Sequence, residues 1–126
     1  MTDEDFSARH AAHIAELGVY RAQLPQIRAE GESALRRLFA VAQGDSGQCG
    51  RVARFLLGLY NGDRFPFDLT ELRGLDRNLF ADCMTVLRMD HTCEQEVHKY
   101  FPDGGQSFEA LAAEWTYEGY ARRGRD

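Results

Sequence analysis

The sequence predicts an all-α protein: a compact bundle of five to six helices with short connections and no sheet. Three observations carry that prediction. Helix formers dominate, with 15 Ala and 13 Leu against 2 Ile, 5 Val and 5 Thr, a balance that disfavours sandwiches and barrels. Apolar residues recur at three- and four-residue spacing in several segments and alternate strictly in none. Helix start and stop residues punctuate those segments. The chain has 126 residues, 44% hydrophobic and 28% charged, enough for one domain with its own core. A large enzyme fold, a disulfide scaffold and a repeat protein are excluded.

The first element expected is a polar, Ala-rich helix over 3–18, with a thin stripe of Phe6, His10, His13 or Ile14, and Leu17. It is weakly apolar and marginal on its own. Gly18 is a plausible break. Pro25 suits the first position of a new helix, which runs to about Gln43 on Ile27, Ala34, Leu35, Leu38, Phe39 and Ala42, with Gly31 as a bend or break. Gly44 fits a C-terminal stop. Asp45 or Ser46 caps the next helix, with Gln48 near capping-box spacing from Asp45; Val52, Phe55, Leu56, Leu59 and Tyr60 give it a wide apolar face.

Phe65-Pro66-Phe67 reads as an extended aromatic loop, because a residue before proline avoids the α region. Its two rings are expected to fill a gap between helices, the other reading being an exposed binding patch. Asp68 caps a short turn with Glu71 as its capping-box partner. The most periodic helix covers about 75–90, with Leu75, Leu79, Cys83, Val86 and Leu87 on one stripe and Phe80 and Met84 widening it. A short helix is expected over 93–101 with Val97, Tyr100 and Phe101 inward. Pro102 to Gly105 marks a turn, and the last helix, about 106–116, uses Phe108, Leu111, Ala112 and Trp115. The organisation expected is an N-terminal helical segment 1–33, serving as a dimerisation or partner arm, a helical core 34–116, and a frayed Arg-rich tail 117–126.

Net charge is −5, which argues against general nucleic-acid binding, but the charge is segregated. Residues 33–61 carry Arg36, Arg37, Arg51 and Arg54 against Asp45 alone, whereas residues 91–121 hold six acidic residues against Lys99. Cys49, Cys83 and Cys93 are odd in number and irregularly spaced, as expected of free thiols in a cytoplasmic protein. The acidic start, Met1 to Asp5, has no apolar stretch of a secretory leader, and no apolar run is long enough to span a bilayer.

Few residues point to chemistry. Gly44-Asp45-Ser46-Gly47 spells the surroundings of a serine-protease nucleophile, but that chemistry needs a base and an oxyanion hole on a β scaffold. His91, Cys93 and His98, with Cys83 and Asp90 nearby, are the best metal suspects. Their spacing lacks the close pairs that zinc favours, so no metal or cofactor is expected. His10 and His13, one turn apart, carry no assigned role. No nucleophile–base set can be assembled, so no catalytic residue is assigned and no enzymatic activity is expected.

The stretches Val41 to Gln48, Arg51 to Leu57, Phe67 to Thr70, Leu75-Asp76, Glu96 to Phe101 and Phe108 to Leu111 together resemble a family of small proteobacterial proteins of unknown function. Its members look like accessory genes carried on integrative conjugative elements and plasmids. The resemblance covers about 34–115, implies a mobile-element cargo role and brings no catalytic residue.

The function expected is therefore non-enzymatic binding of another protein, of unknown identity, or of a second copy through the N-terminal helix. Glu94, Glu96, Glu109, Phe65 and Phe67 are the candidate partner-binding residues. One alternative is inhibition of a host nucleic-acid-targeting defence, as by an anti-CRISPR protein, with the acidic 91–121 face occupying a basic groove. Another is a DNA-associated regulator using Arg36, Arg37, Arg51 and Arg54 on the basic 33–61 hairpin. The apolar second helix of that hairpin argues against a recognition helix.

Overall fold

The computed structural model describes residues 2–116; the expected tail, 117–126, lies outside the described residues. Thr2 starts the first helix with a reciprocal cap. Its hydroxyl accepts from the Asp5 backbone N–H at 3.1 Å, and the Asp5 carboxylate accepts from the Thr2 backbone N–H at 3.4 Å. Asp3, Glu4 and Asp5 add negative charge where the helix dipole favours it. The helix then continues without interruption as α1, Asp3–Ala42. Its 40 residues make a rod about 60 Å long.

The break expected at Gly18 and the restart at Pro25 do not occur. Gly18 has open space around it and is tolerated as a solvated helical residue. Pro25 lies inside the helix, where it removes the N–H that would bond the Arg21 carbonyl. Arg21 and Pro25 are exposed, so the defect lies on the solvent side of the helix, and the packed downstream half holds the helix across it. Gly31 is not a bend either. It is buried where α1 crosses a later helix, and an added Cβ would come within 2.4 Å of the Met89 Cβ.

Ser46, not Asp45, caps α2 (Gly47–Tyr60), accepting from the Cys49 backbone N–H at 3.3 Å. Gln48, expected to complete a box with Asp45, instead accepts from the Asp76 N–H at 3.1 Å and donates to the Gly74 carbonyl. It thereby ties α2 to the start of the next helix. The following loop buries Phe65 and half-buries Phe67, which meets Phe55 edge-on at 5.7 Å. Asp68 caps a 3₁₀ turn, Leu69–Gly74, but Glu71 is drawn away from the cap and toward Arg54.

Asp76 caps α3, Arg77–His91, accepting from the Leu79 N–H at 3.0 Å. This helix runs antiparallel along the second half of α1: Arg37 pairs with Asp82, Gly31 meets Met89, and Tyr20 Oη lies 2.5 Å from Thr92 Oγ1. Its buried stripe is Cys83, Val86 and Met89, with Leu79 and Met84 half-buried. Leu87, expected inward, is exposed at the edge, as is Phe80.

The helix expected over 93–101 is reduced to one 3₁₀ turn, Val97–Tyr100, with Phe101 extended beyond it. Asp103 adopts a left-handed φ of 53° to turn the chain. Helix α4 (Gly104–Thr116) begins against the His98 carbonyl, where a Cβ on Gly104 would fall 1.6 Å from that oxygen. Phe108, Leu111, Ala112 and Trp115 are buried as the sequence predicts. The Trp115 indole N–H donates to the Ala42 carbonyl at 3.2 Å, satisfying a group that the end of α1 leaves orphaned. The protein is all-α, and no strand occurs among the described residues.

Candidate functional site

Two surfaces stand out from this framework. The first is the start of α1. Residues 2–19 are exposed throughout, although Phe6, Ile14 and Leu17 are 63%, 54% and 41% exposed. The spacing is more regular than a thin stripe. Phe6, His10, His13, Leu17, Tyr20, Leu24, Ile27, Gly31, Ala34 and Leu38 alternate four- and three-residue steps, the signature of a heptad seam. From Ile27 onward that seam is buried under α2 and α3. Upstream of Tyr20 nothing covers it among the described residues.

The second is an apolar notch of about 210 Å³ lined by Phe55, Gly58, Leu59, Phe67, Leu69, Leu72 and Leu87. The close approach of Phe67 to Gly58 forms one wall: a Cβ on Gly58 would sit 3.0 Å from the Phe67 Cβ. Leu69, 73% exposed, stands on the rim because Asp68 commits the chain to a cap there and leaves the next side chain outside.

The predicted site residues are not brought together in one place. Phe65 is a core plug, with the Arg64 guanidinium 4.6 Å over its ring, while Phe67 belongs to the notch. Glu94 pairs with Arg28 at 3.0 Å. Glu96 is exposed at the N-cap of the second 3₁₀ turn. Glu109 accepts from Arg64 at 2.6 and 3.0 Å and from the Tyr60 hydroxyl at 2.5 Å. Hydrogen bonds from Arg64 and then Tyr60 hold its carboxyl down at about 2, against an ordinary 4.5.

The arginines are also engaged. Arg36 donates to Glu32 at 3.1 Å and to the Tyr100 carbonyl at 2.9 Å, and lies over Phe101. Arg37 makes a two-pronged contact with Asp82 at 2.9 and 3.1 Å. Arg54, 7% exposed, forms a fork with the Glu71 carboxylate, and Arg51 donates to the Glu71 carbonyl at 2.9 Å. Arg51 and Arg54 do line an open depression of about 340 Å³ beside Ser46, Gly47 and Trp115, with Asp45 on its rim. Glu71 offsets their charge there.

His91 and Cys93 are exposed, and His98 is half-buried with its ring edge-on to Tyr60 at 5.2 Å. Among the described residues, no group of three or more His, Cys, Asp or Glu side chains converges to hold a metal. Burial pushes the Cys83 thiol up to about 12, so it is a core side chain rather than a nucleophile. No helix among the described residues is long and apolar enough to cross a membrane. Sequence reasoning missed Leu69, Leu72 and Leu87 as one surface, since only the fold of the loop onto α3 unites them. The arm seam did have a signal, in the four-three spacing that runs unbroken from Phe6 to Leu38.

The fold and these surfaces define an all-α protein: a helical core with a bare helical extension. Residues 32–116 match the profile of a family of unknown function (DUF7673), and the chain belongs to that family. The extension lies N-terminal to the matched region. No curated protein and no solved structure matches the chain.

Proposed function

We propose that this protein is a non-enzymatic, protein-binding accessory protein, consistent with the cargo role on mobile elements that its resemblance implies, and that its contact with a host or element protein is made at the apolar notch. The observation that carries this is Leu69, a large apolar side chain that is 73% exposed beside an open apolar cavity. Interface energy concentrates where an anchor enters such a cavity, and isolated exposed leucines need no such neighbour. Phe67 and Leu72 supply the walls for an apolar side chain of the partner.

Affinity capture with the wild-type chain and with Leu69→Asp tests this. A partner retained by the first and lost with the second is the expected result. Equal capture, or none by the wild type, overturns it. The narrower anti-defence version uses the acidic 91–121 region, where Glu94, Glu96 and Glu109 are all exposed, although Glu94 and Glu109 already pair with arginines of their own chain. Charge reversal at the three that leaves inhibition intact removes that version. The DNA-associated version has less to support it, because a phosphate at Arg51 or Arg54 would compete with Glu71.

A further inference from the structure

The notch leaves the seam of the arm unexplained. An isolated helix of this length is marginal in water, and the arm has no fold of its own to lean on. Phe6 and Leu17 sit on the same seam positions that Ile27 and Leu38 fill in the core, so the bare stretch continues an interface that already exists between α1 and α3.

We infer that the arm pairs with the arm of a second copy of this chain, antiparallel, about a two-fold axis passing between Ala11 and Ala12. Sterics select the direction. Thr92, at the end of α3, meets Tyr20 and closes the seam there. A parallel partner would carry its own α1 onward into residues 20–42, where α3 already lies. An antiparallel partner ends its helix opposite Tyr20, and its own body falls beyond residue 3 of the first copy. Both exposed seams are then covered over their full length with no displacement of α3.

The register follows from the same constraint. Phe6 stacks on the partner's Leu17, and Leu17 on the partner's Phe6. Asp3 lies opposite the partner's Tyr20. Arg9 flanks the seam across from the partner's Glu16, and the symmetry makes this pair twice. Opposite charges in flanking positions favour one pairing over others. At the centre, His10 meets the partner's His13 on both sides of the axis. A polar central layer lowers affinity and fixes register, which identifies the two histidines as register-setting rather than metal-binding residues.

Light scattering on the full-length chain reads the state, and disulfide trapping reads the register. Twice the 14.3 kDa of one chain, falling to one on dilution, is expected. Phe6→Asp with Leu17→Asp should abolish the dimer and leave the unfolding midpoint of the core unchanged, since both side chains are exposed. His10→Leu with His13→Leu should lower the dissociation concentration by about tenfold or more. In a Cys93→Ser background, Phe6→Cys and Leu17→Cys chains should cross-link when mixed and neither with itself. A chain that stays monomeric across a concentration series, or one whose Phe6→Cys variant links to itself, overturns the proposal. Leu69→Asp should leave dimerisation intact, so failure at the notch and failure at the arm are separable.

Discussion

The two halves of α1 share one spacing and meet opposite surroundings. From Ile27 to Leu38 the seam runs through Gly31, Ala34 and Leu38, the last two with no exposed surface, and is sealed by α2 and α3. From Phe6 to Leu17 the same positions hold Phe, two His and Leu, and stand in water. Periodicity states which face of a helix is apolar. It does not state whether anything is there to cover it.

That contrast is most directly broken by equal truncations on the two sides. Leu38→Ala should cost about 3 kcal/mol, the transfer term plus a cavity, whereas Leu17→Ala should change the stability of the core by less than about 0.5 kcal/mol. Urea unfolding of the two variants measures both. A costly Leu17→Ala at concentrations where the chain is monomeric would mean that the arm is part of the core.

A second test asks whether the core depends on Arg54, the one charged residue buried among the described residues. Arg54 is held by Glu71, whose side chain is 16% exposed. Glu71→Leu alone should cost about 3 kcal/mol by leaving the guanidinium unpaired. Arg54→Met added to Glu71→Leu should recover most of that. A double variant as unstable as the single would assign the effect to lost packing.

The glycines sharpen the comparison further. Gly31→Ala forces a Cβ onto Met89 and should destabilise by about 2 kcal/mol. Gly18→Ala meets nothing and should raise helicity in the arm by up to about 1 kcal/mol of helix propensity. Circular dichroism of the two variants should therefore move in opposite directions.

The smallest effect expected is one of pH. Glu109 has its carboxyl depressed to about 2 in the folded chain, so its contribution is complete above the ordinary value of 4.5 and is lost as pH falls from there toward 2. The carboxylate is on the surface, so salt should weaken the effect. Unfolding midpoints of wild type and Glu109→Gln should converge as the pH drops through that window.

Much of the core was legible in the sequence. The faces of α2 and α4 and the inward side of α1 followed from apolar spacing, and the Asp68 cap from residue type, whereas Asp76 read as part of its helix and instead caps it. The misses share a cause. Pro25 and Gly18 are local signals for a break, and the packing of residues 27–42 overrode them. Gly31 reads as a bend or a break, and its role appears only against Met89. Glu71 has the spacing of a capping-box residue, and the buried charge of Arg54 outcompeted the cap. Phe65 and Phe67 are two residues apart and chemically identical, yet one is a plug and the other a wall.

By itself the sequence determined the class of fold, the apolar faces and most helix ends, because propensity, capping and periodicity act within a few residues along the chain. Only the tertiary structure decided which face is covered, which arginine is buried and which glycine is a contact. Those outcomes depend on what lies across a gap of a few ångströms, from residues tens of positions away. The bare seam from Phe6 to Leu17 is one such outcome. Its spacing is in the sequence, and its exposure exists only because α3 stops at Tyr20.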